Sequence, residues 1–384
     1  MERVLPFSEK HEKFRANFGK FLDAEAVPYY KEWCASHMVP HSFFEKMAQA
    51  GFMAVWIDKK YGGVGAGNDF LYTVIKAEEY SKRGLNSIFS RLSGDVIAPY
   101  INQNGSEEQR SEWLPKIARG EVVLGVCMTE PAHGSDLAHI ETRAEDMGDY
   151  YLVNGEKTFI SNGMVADALV VAVRTSDSPE KPYKGISLLI VDTSSEGVKR
   201  EFIDRIGLQA QDTAHIYFNN VKVPKKNLIG EENRGFYILM QHLEAERIMA
   251  AYGSIGMVEH TLQLTRDYVK ERQLFGKSLS SFQNTQYVLS KLWVRYTMAQ
   301  NYLDQTLLKY MTGVDVNQDA SMVKYYTSEL AFESADQCVQ LFGGYGICSN
   351  EEISRQFVDS RIVRFMGGTS ETQLGVIAGS LGIK

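Results

Sequence analysis

The chain of 384 residues has little cysteine: Cys34, Cys127, Cys338 and Cys348 are its four, scattered without a CxxC spacing. Neither a zinc site nor a disulfide framework is suggested, and reduced thiols are expected. An excess of basic charge is also missing. The formal net charge is -7 and no basic stripe stands out, which argues against the counterion-displacing face that a nucleic-acid binder needs. No apolar run approaches the length that spans a bilayer, and the opening residues, MERVLPFSEKHEKF, carry charge throughout in place of a signal peptide's apolar core. A soluble, cytoplasmic protein that engages neither membrane nor nucleic acid is therefore expected. There is no internal repeat and no low-complexity segment.

What is present is an ordinary globular composition, 44% hydrophobic and 23% charged. The length exceeds that of a single core, so two or three packed units are expected. Residues 1–120 repeat apolar positions at spacings of three and four, which predicts an all-helical first domain. Residues 121–230 change to short alternating segments such as YYLVNGEKTFIS, DALVVAVRT, GISLLIVD and AHIYFNNVKVP. These predict strands of an antiparallel β-barrel or sandwich, and Asn154-Gly155 is a hairpin signal within them. From residue 231 to 384 the helical period returns, near 235–272, 282–312, 318–342 and 350–381, as in an antiparallel four-helix bundle. The fold class is thus α+β, in the order helical, β, helical.

Several stretches invite chemistry. GGVGAG at 62–67 follows helical sequence and is out of register with a dinucleotide fingerprint, so it reads as a surface loop. His37 and His41 are four apart, but Pro40 interrupts the helix and no third ligand is near, so no metal site is expected. CMTEPAHGSD at 127–136 is an irregular loop of small side chains and hydroxyls, suited to a planar polar ring or a phosphate, or simply a connection. On the helix over 236–256, Glu246 shares the apolar stripe with Leu243 and Ala250, whereas Glu244 points away. A carboxylate on a buried stripe is costly unless paired or functional. Arg247 offers a structural pair; the alternative is a general base whose pKa burial lifts toward neutrality.

Taken together, YGG at 61–63, MTEPxxGSD at 128–136, NGxKxxISN at 154–162, ERQxFGK at 271–277, QLFGGYG at 340–346 and GGTSE at 367–371 resemble the acyl-CoA dehydrogenase family over essentially the whole chain. The resemblance implies a homotetramer with FAD bound between subunits, which oxidises an acyl-CoA to the enoyl-CoA and passes electrons to an electron-transferring flavoprotein. It implies flavin contacts at Met128, Thr129, Gly134 and Ser135, with Ser135 also near the CoA arm. Phe159, Ile160 and Ser161 match the strand behind the flavin, where the family more often has Trp and Thr. Arg272 and Phe275 match residues that reach a neighbouring subunit's FAD, Gln283 an adenine-side contact, and Gln340, Gly343 and Gly344 a diphosphate-side loop. Thr369 and Glu371 match the last FAD contacts, and Glu244 and Arg247 lie near bound CoA.

In many relatives the catalytic carboxylate immediately precedes the glycine-threonine pair near the C-terminus. Here that position is Gly367, which leaves room for the acyl group. The arrangement of isovaleryl-CoA and long-chain members, a glutamate just before an arginine, is matched by Glu246-Arg247. Periodicity and resemblance thus converge on Glu246 as base. Asp95, in SRLSGDVIAPY, is the alternative: it lies where the resemblance places the acyl end of the pocket, or it is a capping aspartate after Gly94. As a base for a cyclic acyl group it would alter the regiochemistry of oxidation. An acyl-CoA oxidase, an enoyl-CoA reductase and a non-catalytic CoA-binding scaffold are the other readings.

Overall fold

The computed structural model describes residues 3–383. Six α-helices come first: α1 Glu9–Glu25, α2 Tyr30–Ser36, α3 His41–Gln49, α4 Leu71–Ser81, α5 Ala98–Asn104 and α6 Glu107–Ala118. A single π-helical stretch, Leu92–Ile97, runs directly into α5. Eight strands follow, β1 Leu124–Cys127, β2 Arg143–Asp146, β3 Tyr150–Ser161, β4 Ala168–Arg174, β5 Ile186–Asp192, β6 Val198–Phe202, β7 Thr213–Pro224 and β8 Leu228–Ile229. The rest is α7 Gly235–Glu271, a small hairpin of β9 Gln273–Leu274 and β10 Lys277–Ser278, then α8 Gln283–Met311, α9 Asn317–Phe342, α10 Glu352–Ile362 and α11 Ser370–Ser380.

The middle sheet is neither closed nor purely antiparallel. Its order is β6-β7-β3-β2-β4-β5-β8, with β1 also on β4, and no pairing joins its end strands among the described residues. Both β1 and β2 run parallel to β4, while the remaining pairs are antiparallel. Strand β4 lies between two cores: all seven of its residues are buried. Ala168, Val170 and Ala172 enter the core shared with the first helices, and Leu169, Val171 and Val173 enter the core on the other face. Covered on both faces, the strand reads as a continuous apolar run and not as an alternating one.

Asn154-Gly155 is not a hairpin either. It lies inside β3, which is flanked by β2 and β7, where the register slips between Val153 and Gly155. Gly155 takes φ +141°, and a Cβ there would stand 2.7 Å from the Thr142 Cα. Here the local turn preference is used for a bulge, because pairing on both sides holds the strand extended. The C-terminal segment expected as one helix over 350–381 divides into α10 and α11, broken at Gly367 and Gly368, which have φ of +66° and +91°.

Helix α7 links two of the cores. Its first turns place Ile238 and Leu239 in the core beneath the first helices and β4, and from Ile248 onward it is buried in the C-terminal bundle with α8 and α9. Glu246 falls between these two cores. At that seam the helix faces α5 and the π-helical stretch in place of a continuous apolar wall.

Candidate active site

Glu246 is half-buried at the seam. Its Oε1 accepts a hydrogen bond from the Tyr100 hydroxyl on α5, and no partner holds Oε2 among the described residues. Burial pushes the Glu246 carboxyl up to about 7, against the opposing pull of the Tyr100 hydrogen bond and the Arg247 charge. Tyr100 is itself buried and stands edge-on to His242, with ring centroids 4.3 Å apart. Burial pushes His242 down to about 4, so this neighbour is a neutral imidazole at neutral pH. The carboxylate is thus oriented by an uncharged phenol, itself held against an uncharged ring.

Arg247 does not form the salt bridge that was the alternative explanation of Glu246. Its Nη1 donates to Asn317 Oδ1 at 2.7 Å and Ser321 Oγ at 3.1 Å, at the start of α9. Glu244 turns toward Asp315, and burial raises its pKa. One turn along α9 from Ser321, buried Lys324 donates to the Gly368 carbonyl at 2.5 Å. This brings the Gly367-Gly368 turn to the same end of α9 as the Glu246 seam. A Cβ built on Gly367 meets nothing within 4 Å, so the turn faces open space.

The flavin-matching residues fall into two groups. In the first, the loop after β1 is tied to β3: buried Lys157 donates to the Met128 carbonyl at 3.1 Å and to Glu130 at 2.8 Å, while the Thr158 N–H donates to the Thr129 carbonyl. The register of β3 slips again between Lys157 and Ile160, and Phe159 is thrown outward with φ +56° and 65% exposure. Ile160 stays buried and Ser161 is half-buried. The Thr372 hydroxyl approaches Ser135 Oγ at 3.5 Å, and Thr369 caps α11 by accepting from the Thr372 N–H. Gly134 and Glu371 are exposed at the rim.

The second group, Arg272, Phe275, Gln283, Gln340, Gly343 and Gly344, is exposed throughout. Arg272 stands over the Tyr345 ring at 5.8 Å, joining the ERQxFGK and QLFGGYG segments, and Phe275 is 88% exposed at φ +49°. From Glu246 to Arg272 runs about 39 Å of helix at 1.5 Å per residue. The second group therefore begins at the far end of α7 from Glu246.

Asp95 is neither a cap nor an unpaired acid. It sits within the π-helical stretch, and its Oδ2 is 2.5 Å from Lys76 Nζ, with both side chains sealed from solvent. Burial pushes Lys76 down, and Asp95 opposes that shift.

Residues 8–121 match the acyl-CoA dehydrogenase N-terminal domain, 125–221 the middle domain and 233–382 the C-terminal domain. The chain belongs to the acyl-CoA dehydrogenase family. It is 36% identical to the long-chain specific acyl-CoA dehydrogenase of Rattus norvegicus mitochondria, over 97% of this chain and 86% of the relative. It is 34% identical to the caffeyl-CoA reductase–Etf complex subunit CarC of Acetobacterium woodii, over 98% and 99%. Among solved structures, an acyl-CoA dehydrogenase from Geobacillus kaustophilus superposes with a TM-score of 0.96 at 41% identity, over 98% and 99%.

Acyl-CoA dehydrogenases are FAD-dependent oxidoreductases, and the first group fits that cofactor. An outward aromatic at Phe159 and the thioether of Met128 offer an apolar ledge, and the hydroxyls of Thr129, Ser135, Ser161 and Thr369 offer hydrogen bonds at its edge. The open spaces beside Gly134 and Gly367 leave the ledge unobstructed. Sequence reasoning missed Tyr100, Lys157 and Lys324. The lysine of NGxKxxISN was a readable signal for Lys157, whereas Tyr100 and Lys324 act through contacts that no local pattern announces.

Proposed function

We propose that this acyl-CoA dehydrogenase oxidises an acyl-CoA thioester at its α and β carbons, with Glu246 as the general base. The observation that carries the proposal is the state of Glu246: a desolvated carboxylate near pH 7, oriented by Tyr100 and free of any salt bridge. A base poised near the working pH combines a large ionised fraction with good proton affinity. Tyr100 engages Oε1, so Oε2 takes the α-proton. Bound FAD supplies the acceptor for the hydride leaving the β carbon. The open turn at Gly367 leaves space for the acyl group beside the ledge.

In this reading the exposed second group, with Arg272 and Phe275, meets the cofactor of a neighbouring subunit in a homotetramer. The exposure of that whole group, about 39 Å along α7 from Glu246, supports such sharing. An electron-transferring flavoprotein reoxidises the cofactor, as the association of the A. woodii relative with Etf supports. Asp95 is a structural acid in this reading, because its charge is already engaged by Lys76.

The test is anaerobic bleaching of the bound flavin by linear, branched and cyclic acyl-CoAs, followed by reoxidation with an electron-transferring flavoprotein or air. Bleaching by a thioester with slow peroxide release is the expected outcome. Rapid peroxide formation would identify an oxidase, and no bleaching by any thioester would overturn the dehydrogenase reading.

A further inference from the structure

We propose that Arg91 forms a cationic end wall of the acyl pocket, and that the pocket takes an acyl-CoA whose far end carries a carboxylate. The position of this wall rests on the reading of Glu246 as the base; the affinity for the anionic end does not.

Geometry comes first. On α7, Glu246, Ala250 and Gly253 follow one another at helical spacing and are all half-buried, whereas Met249, Ala251 and Tyr252 turn into the cores. This makes a shallow track of small residues leading away from the base. At Gly253, two turns or about 10 Å along the axis from Glu246, a built Cβ would lie 3.5 Å from Arg91 Nη2. Arg91 directly precedes the π-helical stretch that leads into α5, the helix bearing Tyr100. One continuous segment thus places a phenol over the base and a guanidinium at the far end of the track.

Charge comes second. The Nε and Nη1 atoms of Arg91 are buried and have no acceptor, and the residue makes no ion pair among the described residues. The ionisable groups that act on it are Asp95 and Tyr80. Asp95 is engaged by Lys76 at 2.5 Å, and the Tyr80 hydroxyl is hydrogen-bonded to Ser90 at 2.7 Å. Lys76, Asp95 and Arg91 together therefore carry one surplus positive charge in a desolvated place. Buried guanidinium groups are normally paired, because unmet donors and an uncompensated charge are costly. A planar carboxylate approaching Nη2 from the track can fork to Nη2 and one of these two unmet donors, and it meets the charge at once. The span of about 10 Å from base to wall suits a short dicarboxylic acid esterified to CoA at one end.

The experiment is calorimetric titration of the FAD-loaded enzyme with adipyl- and pimelyl-CoA against hexanoyl- and heptanoyl-CoA, with anaerobic flavin bleaching run in parallel. Loss of a charge-assisted hydrogen-bonded contact corresponds to a factor of about 10 to 100 in affinity. The expected result is that a carboxyacyl thioester binds at least tenfold more tightly than the neutral thioester of equal length. Arg91→Gln removes that advantage, weakening carboxyacyl thioesters at least tenfold more than neutral ones, and Arg91→Lys keeps part of it. Equal or tighter binding of the neutral thioesters by the native enzyme overturns the proposal, as does an equal loss for both classes in Arg91→Gln. If Arg91→Gln fails to fold, the native comparison alone decides. Tight carboxyacyl binding without bleaching by any thioester would leave this proposal standing and remove the dehydrogenase reading instead.

Discussion

Asp95 and Glu246 are two withdrawn carboxylates beneath the same seam, one on the π-helical stretch and one on α7. Asp95 has a lysine ammonium at 2.5 Å, with both side chains sealed. Glu246 has only a phenol, and its sequence neighbour Arg247 turns away to α9. Desolvation raises the Glu246 carboxyl pKa, and that carboxyl has no cation at contact. The presence of such a cation separates an acid held in an ion pair from one left desolvated and unpaired, as the proposed base is.

The strongest test of this contrast is to neutralise each acid in turn. Glu246→Gln is expected to slow flavin reduction by substrate about 1,000-fold, within the usual range for loss of a general base, while the bound-flavin spectrum persists. Asp95→Asn is expected to stay within about tenfold of the native rate, since the groups it loses are structural. A reversal of these two results would make Asp95 the base.

Stability should respond in the opposite sense. Lys76→Met strands a buried carboxylate and is expected to cost about 3–5 kcal/mol in urea unfolding. Combining it with Asp95→Leu should recover much of the loss, whereas Glu246→Gln should cost little. If Lys76→Met were silent, the pair would not be the buried anchor described here.

A finer test uses pH. With the Glu246 carboxyl at about 7, the flavin-reduction rate should rise with pH through that value as the base ionises. Tyr100 favours the ionised form, so Tyr100→Phe should move the midpoint upward by about one pH unit, as expected for one hydrogen bond to a charged group. A downward move would contradict the assigned donor. Linkage has a definite sign as well. The Glu246 pKa is raised on folding, so the folded state holds a proton that the unfolded state has released between about 4.5 and 7. Its contribution to stability falls as pH rises across that window. The slope should be shallower in Glu246→Gln.

The smallest effect is expected at the turn where many relatives keep their base. Gly367→Ala places a side chain at φ +66°, costing about 1 kcal/mol of stability. Because the Cβ enters open space, flavin reduction should remain near the native rate, as measured by stopped-flow absorbance.

Much of this protein was legible in its residues. The change from helical period to alternation and back announced the helical, β, helical order, and the apolar stripe of α7 singled out Glu246. Errors arose where a local signal had a competing tertiary partner. Asn154-Gly155 reads as a turn, yet β2 and β7 hold it in a strand. The strands read as purely antiparallel, yet β1 and β2 run parallel to β4. Asp95 after Gly94 reads as a cap, yet Lys76, 19 residues earlier, reaches it.

The sequence by itself determined where helices and strands form, which residues are apolar enough to seek a core, and that Gly367 has no acid to offer. These follow from side-chain periodicity and backbone preference, which act over a few residues. Only the tertiary structure decided which carboxylate is paired with a cation and which is left without one. Tyr100 and Glu246 are 146 residues apart in the chain, and a pKa depends on the charges and water within a few ångströms, which chain order does not specify.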